Sequence, residues 1–103
     1  GAAPEQRGAV QTELMKASLG LAPAQGERVA AVNLKYAQQM QPVIAGSEGP
    51  LRKLSAMQRV NEAKEGELRV VLSDAQFQKY LAGREELRRK FEEKIVQKKP
   101  DGG

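Results

Sequence analysis

The sequence predicts an all-α protein of four helices: a short first helix, a long helical hairpin and a long last helix. Three observations predict it. Apolar residues recur at three- and four-residue spacing along most of the chain, which lays them on one face of a helix. Helix-forming residues abound, whereas two Phe, two Tyr and no Trp are too few to fill a β-sandwich. Leu72-Ser73-Asp74-Ala75-Gln76-Phe77 carries a complete helix start signal. With 103 residues the chain is expected to form a single helical domain with one thin core.

The first helix is expected over about 9–19, because Val10, Leu14, Ala17 or Ser18 and Leu21 share a stripe and Gly20 suits a left-handed stop. Gly8 weakens the preceding turn, so residues 1–8 are expected to be disordered. A second helix, about 23–44, opens on Pro23 and carries Val29, Val32, Tyr36, Met40 and Val43, with Ala30, Ala31 and Ala37 allowing close approach of a neighbour. Pro42 predicts a kink or stop, and Ala45-Gly46-Ser47-Glu48-Gly49-Pro50 a definite break.

The third helix, about 48–71, uses Leu51, Leu54, Met57, Val60 or Asn61, Leu68 and Val71, and Gly66 predicts a bend or a close crossing. Ser73 then ends that helix and caps the fourth, about 74–97, with almost no loop. Its seam is Phe77, Tyr80, Leu81, Arg84, Leu87, Phe91 and Ile95, supported by Glu85 with Arg89 and Glu86 with Lys90 one turn apart. Residues 98–103 read as a disordered tail.

The start signal has physical content. The Ser73 hydroxyl can accept the N–H of Gln76 while the Gln76 side chain reaches back to the N–H of Ser73; Asp74 meets the positive helix end and Leu72 can pack on Phe77. A degraded copy, Leu21-Ala22-Pro23-Ala24-Gln25, lies fifty-one residues earlier with alanine at the cap. Either copy alone is an ordinary helix start; two copies carry more weight.

This pair resembles the doubled L-T-x-x-Q signature of the Spy/CpxP family of small exported helical proteins, with Ala22 and Ser73 where threonine is usual. The resemblance extends to the element order over roughly residues 9 to 97. It implies a periplasmic, stress-related protein that holds unfolded clients without ATP or modulates a membrane sensor protein, and it implies a homodimer. Metal sensing, found in a related branch that uses His and Met ligands, is not carried over, because the chain has no histidine.

Inventory narrows the chemistry. The absence of Cys and His excludes disulfides, thiolate or imidazole metal sites and His-based nucleophilic catalysis. Carboxylate pairs such as Glu62 with Glu65 fall on expected wet faces, so no enzyme activity, cofactor, metal or small-molecule substrate is expected. No run of eighteen apolar residues suggests a transmembrane segment, and Gly1-Ala2-Ala3-Pro4-Glu5 is not a signal peptide. The chain is therefore expected to be cytosolic or, as the resemblance implies, periplasmic after removal of an export signal.

The leading expectation is a binding module with an apolar surface rimmed by cations. Candidate client or partner contacts are Arg59, Arg69, Arg84, Arg88, Arg89 and Lys94 for charge, with Val43, Ile44, Leu51 and Met57 as apolar contacts; singly, each also reads as ordinary surface or core. Met15, Met40 and Met57, far apart in sequence, read as core filler. A regulatory partner docking on a sensor protein is the alternative. Nucleic-acid binding, suggested by the net charge of +4 and the Arg-rich last helix, is disfavoured by Glu85, Glu86, Glu92 and Glu93, which interrupt the patch.

Overall fold

The structure, a computed structural model, describes residues 2–98, among which there are five helices and no strand. These are α1 (Pro4–Leu19), α2 (Pro23–Ala45), α3 (Pro50–Val71), α4 (Asp74–Ala82) and α5 (Arg84–Lys98). The chain is all-α. The shape is flat, 38 × 32 × 21 Å, and the short dimension is about two helix diameters. Only one interior layer of side chains fits in that thickness.

Helix α1 lies along α2, α2 pairs with α3 as a hairpin, and α5 returns to pack on α1. Core residues come from four helices: Met15 and Leu19, then Val29, Val32 and Tyr36, then Leu68, then Phe77 and Tyr80, with Leu72 at the α3–α4 corner. The core thus gathers where both repeated motifs turn the chain. The hairpin is bracketed beside it, since Glu67 accepts from the Tyr36 hydroxyl and from Lys35 at 2.7 Å. Lys35 first and Tyr36 second hold the Glu67 carboxyl below its ordinary range.

Several expectations change. The chain is helical from Pro4 rather than near residue 9, because proline starts the helix and the Arg7 guanidinium donates to the carbonyls of Ala2 at 2.7 Å and Ala37 at 3.1 Å. Gly8 is a crossing point: a Cβ there would stand 3.2 Å from the backbone of Leu34, so a side chain would push α1 and α2 apart by a few tenths of an ångström. Beside it Thr12 donates to the Gly8 carbonyl at 2.9 Å, and fully buried Asn33 donates to Thr12 at 3.0 Å. This buried polar ladder sets the register of the two helices.

Gly20 has φ +61°, and its N–H reaches the Lys16 carbonyl, closing α1 as expected. Helix α2 continues through Pro42 to Ala45, and α3 starts at Pro50. Gly66 makes no close crossing, for nothing lies within 4 Å of a Cβ built there, and α3 runs unbroken past it.

The long last helix is two helices. Gly83 interrupts it at φ −99°, ψ 9°, with its N–H shared between the carbonyls of Lys79 and Tyr80. A Cβ at Gly83 would stand 3.3 Å from the Lys79 carbonyl, so glycine suits this tightened turn. Of the expected tail only Lys98, which closes α5, is described; residues 99–103 and Gly1 lie outside the described residues.

Candidate functional site

The two motifs meet. At the second corner the Gln76 N–H donates to the Ser73 hydroxyl at 3.1 Å and the Ser73 N–H donates to Gln76 Oε1 at 2.9 Å, a complete capping box. At the first corner the Ala22 N–H donates to Gln25 Oε1 at 3.0 Å, but alanine has no oxygen to answer it, so half the box is present. The two glutamine amides then bind each other: Gln25 Nε2 donates to Gln76 Oε1 at 2.8 Å, and Gln76 Nε2 donates to Gln25 Oε1 at 3.2 Å. Their remaining donors reach the carbonyl before the opposite corner, Val71 at 3.3 Å from Gln25 and Leu19 at 3.4 Å from Gln76. Because each Oε1 must face its own cap N–H, both amide orientations are determined.

The cap residues share a backbone conformation, φ −66° and ψ 155° at Ala22 against φ −66° and ψ 163° at Ser73. Serine at position 22 would meet a geometry already prepared for it. Ala22→Ser is expected to stabilise the protein by about 1 kcal/mol, read as a shift in the urea midpoint at constant slope. An unchanged midpoint would mean that water already serves that helix end.

A cleft of about 730 Å³ opens across the molecule, walled by parts of all five helices. Leu14, Met15 and Tyr80 form its buried floor, and Met40, Met57, Leu87 and Phe91 its half-buried sides. All three methionines of the chain line it: Met15 is core as expected, while Met40 and Met57, expected as core filler, keep exposed surface in the opening. Burial pushes the Tyr80 phenol up to about 12, so it is a neutral donor at ordinary pH.

Four cations, Arg7, Lys64, Arg84 and Arg88, line the cleft with three carboxylates, Glu62, Glu65 and Glu92. Arg84 reaches from the start of α5 to Glu65 on α3 at 3.0 Å, fastening one end of the cleft. At the other end the lining continues onto open surface. Leu54 is 52 % and Leu51 84 % exposed, and by helical spacing Leu54 shares a face with Met57, Gln58 and Asn61 of the cleft wall. Ile44, 45 % exposed, completes this apolar strip from α2.

The sequence-derived contact residues divide. Arg84, Arg88, Ile44 and Met57 come together in the cleft; Val43 and Arg59 line a separate shallow groove with Arg52 and Lys53. Leu51 extends the apolar strip, whereas Arg69 stacks over the Phe77 ring at 4.8 Å and so serves the core's edge. Arg89 and Lys94 are exposed and line neither. Charge on α5 is mostly answered within the helix, Arg88 by Glu85 and Glu92 and Arg89 by Glu86 and Glu93. The expected Glu86–Lys90 pair forms at 3.7 Å, but Arg89 takes Glu86 and Glu93 instead of Glu85.

Arg7, Lys64 and Tyr80 carry no local signal as site residues, because they come from α1, α3 and α4 and meet only in the folded chain. Among the described residues no group of three or more His, Cys, Asp or Glu side chains could hold a metal ion, and no helix is long and apolar enough to cross a membrane.

Residues 1–80 match a family described as a domain of unknown function (DUF4890). The matched stretch contains both glutamine corners and ends within α4. No curated protein and no solved structure matches the chain.

Proposed function

The chain belongs to the family described as a domain of unknown function (DUF4890); on the strength of its cleft and its paired motifs we propose that it is an exported, stress-related binding protein that holds partly unfolded chains without ATP, in the manner of Spy/CpxP proteins. The observation that carries the reading is the continuity of the methionine-lined cleft with exposed Ile44, Leu51 and Leu54. Methionine side chains are flexible and polarisable and so adapt to apolar partners of varied shape. A contiguous apolar strip left in water marks a contact surface rather than a core. Arginines at the rim add attraction for acidic flanks of a client. The paired glutamine corners support the family resemblance, since the amide of each motif completes the other.

The test uses the purified full chain at micromolar concentration against a chemically denatured client. Delayed aggregation is expected, and the double variant Leu51→Glu, Leu54→Glu should lose most of that effect while its urea midpoint stays near the parent's, since both side chains are exposed. No delay and no calorimetric binding would sink the proposal. Stoichiometric recovery of a single envelope protein by pull-down would instead favour the regulatory-partner reading.

A further inference from the structure

Client holding accounts for the apolar lining of the cleft but not for Lys64. This side chain lines the cleft from α3, half-buried, and among the described residues it makes no hydrogen bond and no ion pair. The other cations of the lining are engaged: Arg7 with the carbonyls of Ala2 and Ala37, Arg84 with Glu65, and Arg88 with Glu85 and Glu92. Burial holds the Lys64 amine below the ordinary lysine range, and the opposing pull comes from Glu65, which Arg84 already occupies. An ammonium that lines an apolar cleft with its nearest carboxylate, Glu65, already bonded to Arg84 is only partly compensated, and an incoming carboxylate relieves the remainder.

We propose that the cleft binds a single-chain fatty acid, with the alkyl chain along the methionine-lined wall and the carboxylate on Lys64. The volume of about 730 Å³ lies in the range of small-molecule sites, roughly 300–1,000 Å³. Flexible thioethers suit a chain that has no fixed shape. Glu62, Glu65 and Glu92 in the same lining admit a singly charged head and repel a phosphate dianion. The alkyl chain uses the methionine-lined wall that client holding also uses, but Lys64 takes no part in client holding, whose exposed residues Leu51 and Leu54 stand about three helical turns away.

The experiment titrates the full chain calorimetrically with laurate, dodecanol and dodecyl phosphate, each below its micellar concentration. Laurate is expected to bind about tenfold or more tightly than dodecanol and more tightly than dodecyl phosphate, the charged hydrogen bond being the difference. Lys64→Met should abolish the preference for laurate over dodecanol while leaving dodecanol binding, the helical circular dichroism and the delay of client aggregation intact. Equal binding of laurate and dodecanol by the parent protein overturns the proposal without needing the variant. A laurate preference that survives Lys64→Met overturns it as well. Lys64-dependent binding of an acidic, apolar peptide with no binding of laurate replaces the fatty acid by a client segment. Loss of client holding with laurate binding retained refutes the function proposed above and leaves this one standing.

Discussion

Leu68→Ala is expected to lower the unfolding free energy by about 3–5 kcal/mol. Leu68 is fully buried, and among the described residues it is the one buried residue that α3 contributes to the core. Val60 and Val71 of the same helix pack against the core only partly covered. Removing its three outer carbons leaves a hole where the flat molecule has a single interior layer, with no second layer to collapse into it. A domain of this length has about 5–15 kcal/mol of stability, so the variant should sit near the edge of folding. Urea unfolding followed by circular dichroism reads the effect; Leu68→Met, which conserves volume, should cost less than about 1.5 kcal/mol. An alanine variant within about 1 kcal/mol of the parent would show that α3 is held mainly by the Glu67 bracket.

The second large effect is expected at the glutamine pair. Gln76→Leu removes the acceptor for the Ser73 N–H and both bonds to Gln25, and it leaves the Leu19 carbonyl unanswered. The expected loss is about 2–3 kcal/mol, since several half-buried polar groups lose partners together. Gln25→Leu should cost a similar amount, and the double variant should cost about 1–2 kcal/mol less than the two losses added, because the second change removes partners already gone. Strict additivity would mean that each glutamine serves only its own cap.

How much of this was legible in the sequence differs by element. Helices α2 and α3 follow from periodicity and from Gly and Pro at their ends, and the Ser73 box follows from local chemistry that needs no tertiary partner. The early start of α1 is not legible because the helix cost of Gly8 is local, whereas the room its missing side chain leaves for the Leu34 backbone is a tertiary fact. Gly83 was hidden inside a strong apolar repeat that continues on both sides, and only the reach of Arg84 to Glu65 gives the break a visible role. Periodicity also reports which residues share a face but not whether the face is covered: Leu54 reads as seam and stands in water, Leu51 reads both as seam and as an apolar contact and is exposed, and Asn33, outside every apolar stripe, is fully buried. The meeting of Met15, Met40 and Met57 required the packing of three helices, which no local pattern encodes.

The reciprocal amides also bear on how the protein is made. A ribosome delivers Gln25 fifty-one residues before Gln76, so the first corner emerges with its amide facing solvent and its hairpin unsecured. Neither turn reaches its final bonding until the other has arrived. The wall built by α5 arrives later still, so the groove acquires its outline only after both corners have emerged.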